Sequence, residues 1–311
     1  MTFVILGSVN SMNKNLKGSL ILLLCAMIWG FAFSAQDMAA EHVPVFTVGA
    51  VRSLIATVFL AAVIVAIDKA TGNGRFLFSR KKTPLTRREL LGGAACGAAL
   101  AIASAFQQAG LTTSGPGKAA FITAMYVVLV PILTALLFRR RTPLHLWIAV
   151  GISLVGLALL TLGDDLSLAV GDILLLICAV CFCGQILLVD HFLPGSDGVR
   201  LSMVQFASAF VFNTVFALLF EDISFAAIGE AILPLLYLGV MSSGCAYTLQ
   251  IIGQRYCKPA PAAILMSTES LFGVIGAALF VGEVLAPREY IGCAVVFAAV
   301  ILSQLPLGKK E

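Results

Sequence analysis

Charged residues are scarce in this chain of 311 residues, since Asp, Glu, Lys and Arg together make up only 12% of it. Hydrophobic residues make up 60% and the mean hydropathy is +1.02, whereas a soluble globular domain has about 25% charged and about 45–50% apolar residues. The chain is too apolar to cover itself with a wetted surface, which excludes a water-soluble enzyme or a nucleic-acid-binding protein. The formal net charge of +4 is spread over loops and does not indicate a nucleic-acid partner.

Residue sets that perform catalysis or hold a resident cofactor are also missing from the sequence. The three histidines, His42, His145 and His191, lie at the ends of apolar runs or in loops, so no Ser-His-Asp triad or metal cluster is expected. The sequence Gly-Pro-Gly-Lys ending at Lys118 lacks the spacing of a phosphate-binding loop, and Ala119 follows where Ser or Thr is required. The eight cysteines lie mostly inside or beside apolar runs, which is typical of small helix residues rather than of disulfides or metal ligands. We therefore predict no cofactor, no metal and no enzymatic activity.

Long hydrophobic runs, by contrast, fill about two-thirds of the chain. A helix that crosses the hydrocarbon core of a bilayer needs about 20 apolar residues, and runs of this length are too long and too uniformly apolar for the strands of a membrane β-barrel. The sequence therefore predicts an all-α integral membrane protein with ten transmembrane helices. The predicted spans are Gly18–Ala39, Phe46–Ile67, Leu90–Gly110, Lys118–Phe138, Leu146–Leu162, Gly171–Phe192, Leu201–Phe220, Ala231–Ile252, Pro259–Val281 and Tyr290–Leu305.

The distribution of positive charge predicts the orientation of these spans. With the N-terminus in the cytoplasm, seventeen of the 20 Lys and Arg residues fall on the cytoplasmic side, while only Lys118 and Arg288 fall outside and Arg52 lies within a span. This satisfies the positive-inside rule and supports an even number of spans. We expect a multi-pass protein of the cell (inner) membrane with both termini in the cytoplasm.

The two halves of the chain resemble each other. Gly18–Ala26 is similar to Gly171–Ala179 with a shift of 153 positions, and Lys118–Ile122 is similar to Pro261–Leu265 with a shift of 143. Because each half has an odd number of predicted spans, the second copy enters the membrane from the opposite side. Such inverted repeats are typical of secondary transporters, whose substrate site lies near the midplane between the halves; a helix bundle without a transport role is the structural alternative.

This organisation predicts four segments. Residues 1–16 form a flexible cytoplasmic N-terminus, in which Met12 is a plausible alternative start. Residues 17–162 form the first repeat with helices 1–5, residues 168–307 form the second repeat with helices 6–10, and residues 308–311 form a cytoplasmic tail.

Five sequence segments resemble the EamA branch of the drug/metabolite transporter superfamily. They are Trp29–Phe33, the pair Val51-Arg52, the long segment Gln107–Pro131, Ser267–Phe272 and the pair Gly282-Glu283. The resemblance covers residues 17–307, and it implies two EamA repeats, ten helices and the transport of small metabolites. It departs from the family pattern in the first half, where Arg139-Arg140 stands at the place equivalent to Gly282-Glu283.

Ionisable and aromatic residues deep inside the spans are the first candidates for a substrate site, since an ionisable group in a bilayer costs about 2.5 kcal/mol or more. Glu269 lies about 15 Å along the ninth span, near the midplane, where it is expected to bind a substrate amine or hold a coupling proton. Tyr126 is its repeat partner under the shift of 143. Trp29 lies about 16 Å along the first span and offers a cavity wall or a cation–π surface. Buried packing is the alternative for all three residues.

Further candidates lie toward the predicted outer side. Arg52, about 9 Å inside the second span, is expected to form a structural ion pair with Asp37 or to extend outward to the headgroups. Gln107 and Lys118 are expected on the outer side of the substrate site, where Lys118 attracts anionic groups, closes a gate or caps the helix end. Pro131 predicts a bend because it removes a backbone donor.

Neutral polar residues are weaker candidates. Gln185, Asn213 and Gln250 lie within spans, but neutral polar side chains also hold membrane helices together. The pattern Gly93-x-x-x-Gly97 predicts close packing of the third span against a neighbour.

The predicted function is secondary, ATP-independent transport by alternating access, with export of a small metabolite, amino acid or drug-like solute as the expected direction. The expected partners are the small-molecule substrate and membrane lipids, with proton coupling as an option. A channel, a membrane-embedded enzyme and a lipid-handling or structural helix bundle are the alternatives.

Overall fold

The computed structural model describes residues 2–71, 85–114, 116–139, 142–161, 169–276 and 286–305. Within these ranges the chain is helical and contains no strand. The predicted pair Gly282-Glu283, the tail 308–311 and most of the long polar loop after the second span lie outside the described residues.

The first half of the chain contains six helices among the described residues. They are α1, Thr2–Ala40; α2, Val45–Thr71; α3, Arg87–Ser114; α4, Pro116–Thr123; α5, Tyr126–Phe138; and α6, Leu144–Thr161. Helix α1 thus begins well before the predicted start of the first span at Gly18.

The second half contains eight α-helices and one π-helix among the described residues. They are α7, Val170–Phe192; α8, Gly198–Phe220; α9, Phe225–Glu230; α10, Ile232–Leu236; the π-helix, Tyr237–Tyr247; α11, Thr248–Gly253; α12, Pro259–Met266; α13, Glu269–Gly276; and α14, Pro287–Gln304. The segments α10, π-helix and α11 follow one another without a break and together make one continuous helical rod.

Most of the predicted spans are helices of sufficient length and apolarity. In the described part of the chain seven segments can cross a bilayer by these criteria: Asn15–Ala40, Val45–Lys69, Arg87–Ser114, Ala119–Leu137, Val170–Phe192, Gly198–Phe220 and Ile232–Gly253. Leu144–Leu160 and Pro259–Ile275 are apolar but shorter, and α14 carries Arg288 and Glu289 in its first turn. An all-helical membrane fold is therefore confirmed, while the count of ten crossings stays a prediction.

The packing of the helices relates the two halves to each other. Helix α1 of the first half packs against the π-helix, α11, α12 and α13 of the second half, and helix α7 of the second half packs against α3, α4 and α5 of the first. The other large interfaces join α2 to α8, α6 to α14, α3 to α8, and α2 to the π-helix. Exchanging the halves converts the contacts of α1 into those of α7 and the α3–α8 interface into that of α2 with the π-helix. It leaves the α2–α8 and α6–α14 interfaces unchanged, which is the pattern of a pseudo-two-fold axis.

Individual contacts obey the same relation. A Cβ atom on Gly110 would lie 2.6 Å from Cγ of Leu175, and a Cβ atom on Gly253 would lie 2.7 Å from Cγ of Leu22. The shifts of 153 and 143 positions convert one contact into the other. Only glycine fits at both positions, because any side chain would enter the space of the neighbouring leucine.

One end of the bundle, called here the basic end, contains the start of α3, the α7–α8 loop and the end of α11. Glu89 and Thr86 form a reciprocal cap at the start of α3, with N–H of Thr86 donating to Oε2 of Glu89 over 2.7 Å and N–H of Glu89 donating to Oγ1 of Thr86 over 3.2 Å. The other oxygen of Glu89 accepts from the amide of Asp197 over 2.9 Å. The Asp197 carboxylate in turn caps α8, and burial raises its pKa above the ordinary value. This network joins the two halves outside the spans.

The opposite end contains the start of α2 and the end of α8. Both carboxylate oxygens of Glu221 accept backbone amides at the start of α2, from Phe46 over 2.7 Å and from Thr47 over 2.8 Å. These bonds satisfy two of the amides that a helix leaves unpaired at its first turn. The start of α2 is therefore fixed against α8, which sets the depth at which the following residues of α2 enter the bundle.

Candidate functional site

A cavity lies at the centre of the bundle, between the two halves. Counted over the positions that the centre of a water molecule can take, its volume is about 40 Å³, and one water needs about 10–15 Å³ on this measure. This conformation therefore has room for a few waters or one small polar group. The described residues that line it are Trp29, Ala32, Phe33, Gln36, Arg52, Gln107, Thr123, Tyr126, Phe182, Gln185, Ile186, Ser242, Tyr247, Gln250, Met266 and Glu269.

Twelve of these sixteen described residues form repeat-related pairs. The shift of 153 positions pairs the α1 residues with residues of α7, and the shift of 143 pairs the α3, α4 and α5 residues with residues of α11, α12 and α13. The pairs are Trp29 with Phe182, Ala32 with Gln185, Phe33 with Ile186, Gln107 with Gln250, Thr123 with Met266, and Tyr126 with Glu269. The cavity therefore straddles the pseudo-two-fold axis.

Two helical segments are interrupted at repeat-related positions beside this cavity. Helix α4 ends at Thr123 and α5 begins at Tyr126, while α12 ends at Met266 and α13 begins at Glu269. Tyr126 and Glu269 are thus each the first residue of a second half-helix, and the Tyr126 hydroxyl donates to Oε1 of Glu269 over 3.4 Å. A contact between repeat-related residues lies on the axis that relates the repeats. The two predicted residues therefore meet at the centre of the molecule.

The proline of the first half does not coincide with the break. Pro131 lies inside α5, whereas the helix is interrupted at residues 124–125. The second half is interrupted at residues 267–268, although Val274 stands at the position related to Pro131. The interruption therefore lies one to two turns before Pro131 and does not require a proline, while a bend at Pro131 itself stays a prediction.

Arg52 has a different partner from the one predicted. Its Nε donates to Oγ of Ser243 over 3.0 Å and its Nη2 donates to Oγ of Ser242 over 3.2 Å, while only 6% of the residue is exposed. The expected ion pair with Asp37 is not formed, because Asp37 is exposed at the end of α1 whereas the serine hydroxyls of the π-helix reach the buried guanidinium. The π-helix is a rare conformation, which occurs mostly as single-turn bulges inside α-helices and frequently at functional sites. Here the π-helix presents two consecutive hydroxyls to one side chain.

Trp29 forms part of the cavity wall together with Tyr247, an aromatic residue that the sequence does not single out. Its indole N–H donates to the backbone carbonyl of Ser242 over 3.3 Å. The ring of Tyr247 contacts it edge to face with centroids 4.6 Å apart, and Phe206 contacts the other side of Tyr247 at 5.6 Å. Trp29 and Tyr247 thus give the cavity an aromatic wall, and Phe206 packs against Tyr247.

Three glutamines connect the cavity wall to the packed interior. Nε2 of Gln250 donates to Oε1 of Gln185 over 3.0 Å, and Nε2 of Gln185 donates to Oε1 of Gln205 over 3.1 Å. The two ends of this chain, Oε1 of Gln250 and Nε2 of Gln205, have no partner among the described residues. Oε1 of Gln36, which is not part of the chain, has none either. Gln36 and Gln250 both line the cavity, and their unpaired oxygens are buried behind its surface in this conformation.

The charged groups of the cavity keep unused hydrogen-bonding capacity. Oε2 of Glu269 and Nη1 of Arg52 have no hydrogen-bond partner among the described residues, and the two groups form no ion pair with each other. Buried polar groups are ordinarily hydrogen-bonded. One carboxyl oxygen and one guanidinium N–H group therefore keep unused hydrogen-bonding capacity in the same small cavity.

The other predicted residues have different positions. Gln107 lines the cavity. Lys118 belongs to α4, but its side chain lies outside the described residues. Asn213 is buried, donates to the Ala209 carbonyl over 2.8 Å and fills the space beside Gly49, which is a helix-packing role.

Phe182, Gln36 and Tyr247 were not singled out from the sequence, and Gln185 and Gln250 were ranked as weaker candidates. The repeat itself held the signal for part of this set, because applying the shift to Trp29 yields Phe182. Tyr247 and Gln36 have no such relation to a predicted residue. In the part of the chain that the structure describes, three or more His, Cys, Asp or Glu residues nowhere come together as a possible metal site.

Comparisons with known proteins agree with this architecture. The profile of the EamA-like transporter family matches residues 16–162 and again residues 169–305, one match per repeat. An "uncharacterized transporter" of Archaeoglobus fulgidus is 28% identical over 292 residues, which cover 94% of this chain and 87% of that protein. A protein of known crystal structure superposes with a TM-score of 0.74 at 16% identity, covering 92% of this chain and 96% of the other, which shows that the fold is shared.

Proposed function

We propose that the chain, which belongs to the EamA-like transporter family, is a secondary transporter that carries a small solute through its central cavity by alternating access. The observation that carries this proposal is the contact between Tyr126 and Glu269, which are repeat-related and lie at two helix breaks beside the cavity. Transporters built from inverted repeats bind solutes at such discontinuous helices near the bilayer midplane.

The position of this contact explains why it suits a carrier. In a molecule of two repeats, exchanging the conformations of the halves turns an opening at one end into an opening at the other. A residue on the axis keeps its neighbours during that exchange, so Glu269 can face a solute that arrives from either side. Residues away from the axis change their neighbours instead.

The solute whose charged groups best match the residues of this cavity is a compact zwitterion. The free carboxylate oxygen of Glu269 accepts a charge-assisted hydrogen bond from an ammonium group, and the free Nη1 of Arg52 donates to a carboxylate. The Oε1 atoms of Gln36 and Gln250, which are buried and unpaired in this conformation, become further acceptors for the three N–H donors of a primary ammonium group when these side chains turn toward the cavity. A zwitterion thus compensates both buried charges at once, whereas a solute of one charge leaves the other unpaired.

The same carboxyl is the proposed carrier of a coupling proton. Glu269 is 6% exposed, lies on the axis and donates or accepts without a competing ion pair among the described residues. We expect an imposed pH gradient to drive accumulation of the solute in the wild type and not in Glu269→Gln. Equal accumulation in both proteins would contradict proton coupling through Glu269, but it would not contradict the proposed solute site.

We also propose that the basic end faces the cytoplasm of an inner membrane, with the N-terminus on the same side. The support is the excess of Lys and Arg in the loops of that side. Reporter fusions at residue 311 and after residue 221 should give opposite locations. The same location for both would contradict the arrangement.

Counterflow in proteoliposomes tests the transport function. Alanine serves as the probe because it is a compact zwitterion. Vesicles that contain the purified protein and unlabelled alanine should take up labelled alanine with saturation. Glu269→Gln should raise the KM for alanine roughly tenfold or more, because a hydrogen bond to a charged group contributes about 1.5–3 kcal/mol. Glu230→Gln is the matched control, since Glu230 is exposed and pairs only with His42 at the opposite end among the described residues. Flux that rises linearly with concentration would indicate a channel, and an unchanged KM in Glu269→Gln would remove the central role of that carboxyl.

A further inference from the structure

Four residues of the cavity wall break its two-fold pattern. Gln36, Arg52, Ser242 and Tyr247 line the cavity, but the described residues related to them by the repeat do not. Those related residues are Val189, Gln205, Ala99 and Ser104. The cavity of this conformation therefore extends from the axis toward one end only.

The direction of this extension follows from the helices involved. Arg52 lies seven residues after the start of α2, which is about 10 Å from the opposite end of the bundle, and Gln205 lies seven residues after the start of α8, about 10 Å from the basic end. The cavity extends toward the opposite end, on the side of Arg52. The space that the repeat relates to this extension lies beside Gln205, and it is closed in this conformation, since Gln205 does not line the cavity.

The structure places Gln205 as the counterpart of Arg52 in atomic detail. A Cβ atom on Gly239 would lie 3.2 Å from the carbonyl oxygen of Arg52, and a Cβ atom on Gly97 would clash with the carbonyl oxygen of Gln205. Arg52 on α2 therefore packs against a glycine of the π-helix, and Gln205 on α8 packs against a glycine of α3. The one-residue offset between Gly97 and Gly239 agrees with the π-helix, which takes up an extra residue per turn.

The side chain of Gln205 has an unused donor. It is fully buried, its oxygen accepts from Gln185 over 3.1 Å, and its Nε2 has no partner among the described residues. A buried amide is ordinarily bonded through both of its polar atoms. An unpaired donor at the position related to a cavity residue indicates that its partner is present in another conformation.

We infer that Gln205 enters the solute cavity in place of Arg52 when the cavity opens toward the basic end, so that an anionic group of the solute exchanges a guanidinium for a neutral amide. This inference rests on the proposed alternating access. The residues on α3 that correspond to Ser242 and Ser243 are Ala99 and Leu100, so the second state also lacks their hydroxyls. Binding from the basic end should therefore be about tenfold weaker than binding from the opposite end, since hydrogen bonds to charged groups are stronger than neutral ones by about one factor of ten.

Labelling of single cysteines tests the inference without any solute. In a chain whose eight native cysteines are replaced by alanine, an impermeant maleimide should react with Arg52→Cys only from the opposite end and with Gln205→Cys only from the basic end. Asn213→Cys is the control on the same helix as Gln205, and its thiol should stay unlabelled from both sides. A Gln205→Cys thiol that is never labelled, or that is labelled from the same side as Arg52→Cys, overturns the inference.

A second measurement uses the native cysteines. In oriented proteoliposomes Gln205→Met should raise KM for alanine at the basic end roughly 2- to 10-fold, the effect of one neutral hydrogen bond, and leave KM at the opposite end unchanged. Arg52→Gln should raise KM at the opposite end alone. Equal changes at both ends would mean that Gln205 only packs the bundle, and would overturn the inference while saturable exchange still supports the transport function.

Discussion

Replacing Gly30 by alanine should separate α1 from α13 at the centre of the molecule. The added Cβ atom would lie 2.6 Å from the carbonyl oxygen of Glu269 and 2.7 Å from the amide nitrogen of Gly273, both of which are backbone atoms that cannot rotate away. Gly273→Ala is the matched control on the facing helix, because its Cβ atom would lie 3.4 Å from the Gly30 carbonyl, an ordinary contact. Overpacking costs about 1–3 kcal/mol, while alanine stabilises a helix over glycine by about 0.5–1 kcal/mol at either position. We expect a net loss of up to about 2 kcal/mol for Gly30→Ala and no loss for Gly273→Ala.

Thermal unfolding of the purified variants in detergent measures this difference. Each kcal/mol shifts Tm by about 2–4 °C in chains of 150–250 residues, so the two variants should differ by several degrees. Gly30→Ala should also lower alanine flux, because the displaced carbonyl belongs to Glu269 itself. Equal Tm values for the two variants, or a higher Tm for Gly30→Ala, would refute the close approach of α1 and α13.

Three smaller changes test other contacts. Ser243→Ala removes the acceptor of the Arg52 Nε–H group and should lower the unfolding free energy by about 1–3 kcal/mol, as measured by thermal unfolding. Tyr126→Phe removes a hydrogen bond of 3.4 Å, which is longer and therefore weaker than the ordinary O–H···O bond of about 2.5–3.0 Å, and should change alanine KM less than tenfold; a larger change would give the hydroxyl a direct role. Because burial raises the pKa of Asp197, the folded state holds this proton more tightly than the unfolded state, so wild-type stability should fall as pH rises from about 4 through the folded pKa. Asp197→Asn keeps the helix cap and should show no such fall; identical pH profiles would contradict the contribution of Asp197.

Much of the architecture could be predicted because a bilayer imposes it. Each backbone polar group must be satisfied inside its own segment, so long apolar runs specify helices almost without regard to tertiary packing. The repeat can be read from the sequence because the two halves share one fold. The shift of 143 positions that aligns Lys118–Ile122 with Pro261–Leu265 also relates Tyr126 to Glu269, which contact each other in the structure.

The misplaced details depend on contacts that no single helix contains. The sequence predicts that Arg52 pairs with Asp37 on the neighbouring span, whereas its acceptors are two serine hydroxyls 190 and 191 positions away. These serines lie on a π-helix, which no pattern in the sequence predicts. The break beside Glu269 could not be read from proline, because the second half has none at that position. In the sequence nothing distinguishes Tyr247 from any other tyrosine in an apolar run, because its contact with Trp29 forms only in the folded protein.

The backbone of the cavity is close to symmetric, but its chemistry is not, and the proposed transport of a zwitterion depends on that difference. Two carboxylates on the axis, within the 3.4 Å that separates the Tyr126 hydroxyl from Glu269, would repel each other and could not both stay ionised. A tyrosine opposite a glutamate places one carboxyl on the axis, where both proposed conformations can use it, and supplies a neutral donor to it. Arg52 lies off the axis, so in the proposed mechanism its guanidinium belongs to one conformation. On this proposal the repeats share the route of the chain, while the ionisable residues decide which group of the solute is bound in each state.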